Sequence, residues 1–303
     1  MTSLFKRMLL AVAVLAAVPA HAALNVVACE PEWAALVKEL GGDKVTVSST
    51  TTALQDPHHI EARPSLIARM RNADLLVCTG MELEVGWLPV LIQQSGNQRL
   101  AAGAPANFEA GRFIAPLELP GRLDRSDGDV HASGNPHIHL DPRNVARVAT
   151  ALAGRLAQID AASAATYQQR LAAFSSRWTE AMRKWELQAQ PLRGVPVVAH
   201  HKNMTYLWSW LGVREVATLQ PKPGVEPSGG YLSTLNAQLA QQPARMVVRG
   251  AYEDPRASQW LSEHARIPAV VLPFTVGGND KASDLFGLFD SSIELLLGAG
   301  AAK

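Results

Sequence analysis

Short apolar runs alternate with longer amphipathic segments along most of the chain. The apolar runs predict strands at residues 24–29, 45–50, 75–79, 195–199, 215–219, 246–249 and 269–272. The segments between them carry apolar residues at helical spacing, and several begin near a proline, which favours the first turn of a helix. Strands that alternate with helices in this way are typical of parallel sheets with helical crossovers.

The middle of the chain predicts two consecutive helices between residues 142 and 190, the second of them at about 161–187. This second helix places large side chains at helical spacing, a pattern typical of core packing rather than of a ligand site. These side chains are Tyr167, Leu171, Phe174, Trp178 and Trp185. A helix of this length spans roughly 38 Å, which is enough to connect two lobes.

We therefore predict an α/β fold with two Rossmann-like lobes, each a parallel sheet with helical crossovers, joined by one long helix. The N-terminal lobe would cover residues 23–158, the linking helix 159–190 and the C-terminal lobe 191–303. A length of 303 residues suits two domains, and 48% hydrophobic with 18% charged residues is ordinary for a globular protein. Residues 103–133 interrupt the alternation with glycines, prolines and a polar run, which predicts a surface excursion.

The first 22 residues have a different pattern. Lys6 and Arg7 precede an apolar run at residues 8–18 that is too short to span a membrane, and small residues follow it. We interpret residues 1–22 as a signal peptide cleaved after Ala22, which predicts a periplasmic protein. Its removal changes the net charge from +1 to −1, because two cations and no anions leave with it. A nearly neutral protein has no electrostatic reason to bind nucleic acid.

The two cysteines, Cys29 and Cys78, each end a predicted strand. If both strands run parallel in one sheet, the two thiols lie at the same edge. In an oxidising compartment such a pair is expected to form a bridge. The sequence therefore favours a disulfide, with two buried free thiols as the alternative.

Histidines cluster near the predicted strand ends. Those that follow the signal peptide are His58, His59, His131, His137, His139, His200, His201 and His264. All but the last fall in three small groups. In open α/β sheets, binding sites form where loops leave the carboxyl ends of the strands. The three groups can therefore meet in a cleft between the lobes.

Residues 134–142 hold the most constrained of these groups. In an extended segment, His137 and His139 point to the same face. Asp141 and Pro142 have the character of a helix N-cap and of the first helical residue, which would hold the segment against a helix start. The arrangement favours a metal site, and a surface turn with two solvated imidazoles is the alternative that these residues leave open.

Several imidazoles with one carboxylate form a donor set that suits Zn²⁺ better than Mn²⁺ or Mg²⁺. Asp280 follows the last predicted strand and can supply the carboxylate, although capping of the final helix is a serious competing role for it. The chain has no glycine-rich phosphate loop, no His-Glu-x-x-His and no Gly-x-Ser-x-Gly. These absences weigh against three common kinds of enzyme site.

Four segments resemble those of a known protein family. They are Asp56-Pro57-His58, residues 135–142 (NPHIHLDP), residues 201–206 (HKNMTY) and residues 273–286 (PFTVGGNDKASDLF). In this order, and over essentially all of the chain after the signal peptide, they resemble the periplasmic zinc- and manganese-binding proteins of ABC importers, the ZnuA/TroA-like group. The last segment resembles its AztC-like branch.

The resemblance implies that His58, His137 and His201 are metal ligands, with Asp280 as a less secure acidic ligand. The histidines that would orient these ligands or hold water are His59, His139 and His200. A histidine at the third ligand position, where manganese binders carry an acid, favours zinc. Mn²⁺ is the less favoured ion.

The main hypothesis is a periplasmic solute-binding protein, not an enzyme, that delivers Zn²⁺ to the membrane permease of an ABC importer. The resemblance implies the permease as partner and a monomeric state, and it leaves a periplasmic zinc metallochaperone as an open second partner. A secreted zinc hydrolase with Asp280 as general base is one alternative. A metal-dependent adhesin or chaperone is the other.

Overall fold

A computed structural model describes residues 22–121, 128 and 130–301 of the chain. The predicted signal peptide lies outside these residues except for Ala22, so its cleavage after that residue stays a prediction. Among the residues that are described, no helix is long and apolar enough to cross a bilayer.

The first lobe is built on a four-stranded parallel sheet. Its strands are β1 (Leu24–Ala28), β2 (Val45–Ser49), β3 (Leu75–Cys78) and β4 (Asn107–Glu109), in the spatial order β2-β1-β3-β4. Its helices are α1 (Pro31–Gly41), α2 (Pro64–Arg71) and α3 (Leu88–Ser95). Because all four strands run parallel, their carboxyl ends lie at one edge of the sheet.

Two helices lead from the first lobe to the second. They are α4 (Pro142–Ile159) and α5 (Ala164–Gln188), separated by one short 3₁₀ turn. The side chain of Asp141 accepts a hydrogen bond from the backbone N–H of Arg143, and Pro142 occupies the first turn of α4. This confirms the predicted cap, and it anchors the histidine segment that precedes α4.

The second lobe repeats the arrangement of the first. Its strands are β5 (Pro196–Ala199), β6 (Arg214–Thr218), β7 (Met246–Gly250) and β8 (Ala269–Leu272), all parallel, in the order β6-β5-β7-β8. Its helices are α6 (Thr205–Leu211), α7 (Gly229–Leu239), α8 (Pro255–Ala265) and α9 (Leu285–Ala301). The predicted fold of two parallel-sheet lobes and a long connecting helix is confirmed.

The aromatic stripe of α5 is core, as its spacing predicts. Trp178 and Trp185 are fully buried, and their rings pack on each other with centroids 5.2 Å apart. Both also pack on Phe289 of α9, at 5.6 and 5.0 Å. Since α5 packs on α1 of the first lobe as well as on α9 of the second, this helix fixes the two lobes side by side.

Two local predictions differ from the structure. Residues 103–133, interpreted as a surface excursion, contain β4, whose Phe108 is buried while its two neighbours are only partly covered. The sequence predicts a helix at residues 84–94, with Trp87 and Leu91 on one face, but α3 begins at Leu88. Trp87, the residue directly before α3, has φ −139° and ψ −33°, which lie outside the α-helical region, so the helix starts only after it.

The disulfide prediction is confirmed. Cys29 directly follows β1, Cys78 ends β3, and the two are bridged with their Cα atoms 4.8 Å apart. The paired strands bring the thiols to the same edge because they are adjacent and parallel. The bridge therefore ties the two central strands of the first sheet at the edge from which the functional loops leave.

Candidate metal centre

Three histidines from separate loops converge between the lobes. His58 lies in the loop after β2, His137 lies just before α4, and His201 lies after β5. Each offers one ligand atom, and these atoms all lie within 4.8 Å of one another. The residues are buried, with relative exposures of 8%, 2% and 7%. The three groups that the sequence places near strand ends do meet.

Two of these rings are aimed by the same local structure. In Asp56-Pro57-His58, Oδ1 of the aspartate accepts from the backbone N–H of His58 at 2.9 Å and from its Nδ1 at 2.7 Å. In Asn135-Pro136-His137, Oδ1 of the asparagine accepts the same two bonds, at 3.0 and 2.8 Å. A carboxylate or amide oxygen can only accept. Nδ1 therefore carries the proton in both rings, and Nε2 is left with a lone pair.

The third ring is aimed from a distant part of the chain. Nδ1 of His201 lies 2.8 Å from Oε1 of Gln220, which again can only accept. The same amide oxygen accepts from the backbone N–H of Gly224 at 2.8 Å, which fixes the glutamine side chain. In all three neutral rings Nε2 is thus the nitrogen that could bind a metal ion, and each ring is held at Nδ1 by a side-chain oxygen, an arrangement that is usual for ligating histidines.

The pKa values of His137 and Asp56 are both lowered, which favours binding of a cation. Burial lowers the pKa of His137 well below its usual value, and the nearby rings of His58 and His201 lower it further. Burial alone would raise the pKa of Asp56, but hydrogen bonds from His58 outweigh this and hold the pKa below its usual value. His137 is therefore neutral at physiological pH, and metal binding there displaces no proton.

The buried Nε2 atoms of His58 and His137 make no hydrogen bond to the described residues. A buried polar atom without a partner costs free energy. Two such atoms from rings held in the correct tautomer, next to a third histidine, are what a metal-binding centre requires. The residues present therefore fit a divalent metal ion of the kind that imidazoles bind.

Two cavities reach the centre. One of about 440 Å³ contacts His137 and His201 and is bordered by Lys202 and Lys222. The other, of about 160 Å³, contacts His58 and His201 from a different side and is bordered by acidic side chains, among them Glu226. The nitrogen atoms of the three histidines are therefore buried, and two cavities border these residues.

Asp280 lies elsewhere in this conformation. It is exposed, in the loop between β8 and α9, and it is outside the group formed by the three histidines. It does not cap α9 either, because Oδ1 of Asp284 accepts the N–H of Gly287 at that helix start. Its loop is closed by Asn279, whose Oδ1 accepts from the backbone N–H groups of Lys281 and Ala282.

The remaining histidines of the cluster have distinct surroundings. His139 is buried with both ring nitrogens next to oxygens: Nε2 is 2.9 Å from the carbonyl of Phe274, and Nδ1 is 3.1 Å from Oε1 of Glu32. Neither nitrogen is open to a metal ion. The ring of His131 stacks on that of His58, with centroids 5.3 Å apart. His59 is exposed.

His200 directly precedes His201 but is outside the group of three histidines. Burial lowers its pKa to about 4, and the neighbouring His201 and Arg249 contribute to the shift. Its Nε2 lies 3.9 Å from Oε1 of Glu226. His200 is therefore a buried neutral imidazole next to the ligand group.

The chain matches the model of a known protein family. Residues 26–299 match the model of the family described as ZnuA, zinc-uptake complex component A, periplasmic. The match covers nearly all of the described chain, including the three histidines and both lobes. The chain belongs to the ZnuA family. Nothing in the match separates the branches of this family, so the AztC-like branch stays a prediction.

The relatives of this chain have low sequence identity to it, but the matched regions are long. The high-affinity zinc uptake system protein ZnuA of Paracoccus denitrificans is 25% identical over 323 residues, 95% of this chain and 93% of that protein. The manganese ABC transporter substrate-binding lipoprotein scaA of Streptococcus gordonii is 28% identical over 159 residues, 52% of this chain and 48% of that protein. The chain thus spans about half the length of the latter relative.

A solved structure shares the ZnuA fold. The crystal structure of a ZnuA deletion mutant with zinc bound superposes with a TM-score of 0.76 at 24% identity, covering 93% of this chain and 100% of that one. At this identity the likeness concerns the fold alone. Both lobes and the connecting helix are included in the superposed part.

Proposed function

We propose that this protein is an exported solute-binding protein that carries Zn²⁺ to the membrane permease of an ABC importer. The observation that carries the proposal is the buried convergence of His58, His137 and His201, with Nδ1 of each ring bound to a side-chain oxygen. Membership of the ZnuA family supports it, since relatives in that family are named as zinc-uptake and substrate-binding proteins.

The donor set supports zinc as the transported ion. Three neutral imidazoles suit Zn²⁺, whereas Mn²⁺ favours carboxylate, carbonyl and water oxygens. The relatives described above include one named for zinc and one named for manganese, so family membership does not choose between the two ions. The choice of zinc rests on the nitrogen atoms of this chain.

Asp280 is proposed as the fourth ligand of the metal-loaded protein. It is exposed in the described conformation, so this role requires its loop to move towards the histidines when the ion binds. Asp280→Asn should then weaken zinc binding, while Asp284→Asn, in the same loop, should not. Equal affinities in the two variants would leave water as the fourth ligand.

Export and partners follow as further proposals. Residues 1–22 would direct the chain to the periplasm, where the predicted monomer meets the permease and, as a second partner, a zinc metallochaperone. The alternative of a zinc hydrolase needs a water-filled metal position and a general base. No contact of the described residues favours that chemistry, and the relatives are named as a zinc uptake system protein and a substrate-binding lipoprotein.

Metal content tests the proposal directly. The protein is purified from the periplasm without added metal, and zinc and manganese are measured by mass spectrometry. We expect about one zinc per chain and almost none in the His58→Ala/His137→Ala/His201→Ala variant. Manganese in place of zinc would overturn the choice of ion. The same metal content in both proteins would overturn the choice of site.

A further inference from the structure

A second buried polar cluster joins the lobes next to the histidine centre. Glu32 lies on α1 of the first lobe and is 1% exposed. His139 is also 1% exposed and lies 3.1 Å from Glu32, measured between Nδ1 and Oε1. The other ring nitrogen, Nε2, contacts the carbonyl oxygen of Phe274 at 2.9 Å, and Phe274 belongs to the second lobe.

The glutamate makes a contact of its own to the second lobe. Its Oε2 accepts a hydrogen bond from Oγ1 of Thr275, 243 residues along the chain. Glu32 and His139 therefore contact two successive residues of the second lobe. His139 contacts the carbonyl of Phe274, and Glu32 contacts the side chain of Thr275. Both residues lie where the chain leaves β8.

The polar atoms of this cluster contact both lobes. Nε2 of His139 is within hydrogen-bond distance of the Phe274 carbonyl, and Nδ1 lies close to Oε1 of Glu32, although that contact does not have hydrogen-bond geometry. Removing Glu32 or His139 leaves buried polar groups of the other residues without this neighbour, which costs free energy. The cluster therefore resists separation of the lobes at this point.

Its position connects it to the metal centre. The ring of Phe274 packs on both His137 and His139, with centroids 5.6 and 5.0 Å away. The segment that begins at Thr275 is a closed loop, in which the N–H of Gly278 donates to the carbonyl of Thr275 at 3.0 Å. This is the loop that carries Asp280.

We propose that Glu32 and His139 are positioning residues that tie the loop after β8 to the first lobe beside the metal centre, and so set the rate at which bound metal leaves. The inference rests on the proposed function, since it presumes that the three histidines bind a metal ion. It assigns to His139 a role different from that of a ligand, because neither of its nitrogens is available.

The dissociation rate of Zn²⁺ is the measurement that tests this tie. Zinc-loaded protein is mixed with excess chelator in a stopped-flow instrument. Glu32→Ala removes both contacts and should increase the rate at least about tenfold, a size typical of groups that orient metal ligands. Glu32→Gln should stay close to wild type, because its amide oxygen can still accept from Thr275 and the side chain still fills the space next to His139.

A milder pair of variants covers the case in which Glu32→Ala does not fold. Thr275→Val is nearly isosteric and removes the hydroxyl donor, which should increase the rate about threefold to tenfold. Thr275→Ser keeps the donor and should restore the wild-type rate. Tyr167→Phe is the matched control, because it removes a buried hydrogen bond to Asp160 at the turn between α4 and α5, outside the cluster of Glu32, His139 and Thr275.

A structural role alone would change stability without changing metal release, so both are measured. Bound Co²⁺ should keep the same absorption spectrum in all variants, since the three histidine ligands are unchanged. Wild-type dissociation rates in both Glu32→Ala and Thr275→Val would overturn the tie and leave the proposed function intact. A wild-type protein that binds no metal would overturn the proposed function and the tie with it.

Discussion

At the scale of single residues, an Asx-Pro-His triplet (aspartate or asparagine, then proline and histidine) fixes the orientation of its imidazole ring through a single side-chain oxygen. One side-chain oxygen accepts from the backbone N–H and from Nδ1 of the histidine two positions later, as in Asp56-Pro57-His58. The proline between them restricts the backbone. The triplet therefore fixes the tautomer and the orientation of the ring together, and the chain uses it twice.

The oxygen of Asp56 should matter more than its charge. Asp56→Ala removes the acceptor, so the His58 ring can rotate or change its tautomer, and zinc affinity should fall by about 10- to 100-fold. Asp56→Asn keeps an acceptor oxygen and should lose less. Competition with a fluorescent zinc chelator measures both, and equal losses in the two variants would contradict the role of the oxygen.

The two histidines of residues 137–139 should rank differently. His137→Ala removes a ligand atom and should reduce zinc affinity by more than about 100-fold, beyond the loss that an orienting residue causes. His139→Ala removes an orienting contact and should cost less. The same chelator competition tests this order. A larger loss in His139→Ala would mean that the ligand assignment within this segment is wrong.

Sequence patterns reveal some of these orienting residues and not others. Asp56 and Asn135 stand at the same spacing from a histidine, so the repeated triplet is a visible signal. Gln220 gives none, because it lies 19 residues from His201. It reaches the ring only because β6 pairs with β5, and the pairing continues beyond the strands: the N–H of Gln220 donates to the carbonyl of His200 at 3.0 Å.

At the scale of secondary-structure elements, the disulfide holds the edge of the first sheet from which the loop of His58 leaves. It closes a loop with a sequence separation of 49 between Cys29 and Cys78. A cross-link of this kind restricts the unfolded chain, and removing one usually costs about 2–5 kcal/mol. The bridge therefore contributes to the stability of the first lobe.

Replacing both cysteines by alanine should lower the free energy of unfolding of the metal-free protein by about 2–5 kcal/mol. Urea denaturation of the variant and of the oxidised wild type measures this difference. Zinc affinity should change little, because neither cysteine contacts a ligand ring. An unchanged free energy of unfolding would contradict a stabilising role for the bridge.

Element order was predictable because each central strand is a continuous apolar run and many helices begin near a proline. Strand β4 was not predictable, since a three-residue strand with one buried side chain, Phe108, has no periodicity to detect. The late start of α3 was hidden for a different reason. It depends on the non-helical backbone of Trp87, which the residue type does not reveal.

At the scale of the whole molecule, two sheets with the same strand order place their loops at a shared cleft. His58 and His137 come from the first half of the chain and His201 from the second, so the centre exists only when both lobes are folded. The buried stripe of α5 holds the lobes together on one side. Folding and metal binding are coupled for this reason.

The stability of the metal-free protein should depend on His200. Its folded pKa is about 4, against roughly 6.5 in an unfolded chain, so between these values the unfolded state binds more protons. The stability that neutral His200 confers is complete above about pH 6.5 and is lost as pH falls through its folded pKa. The free energy of unfolding should therefore fall less on acidification in His200→Gln, by urea denaturation from pH 7 to 4. Parallel curves would contradict this.

The central claim is that three buried histidines form one zinc site, and equilibrium titration of chelator-stripped protein with Zn²⁺ tests it most directly. The wild type should bind about one ion per chain tightly, and the His58→Ala/His137→Ala/His201→Ala variant should not. The His59→Ala/His264→Ala variant, which removes two exposed histidines, should bind like the wild type. Tight binding of one ion by the triple variant, or no binding by the wild type, would contradict the account.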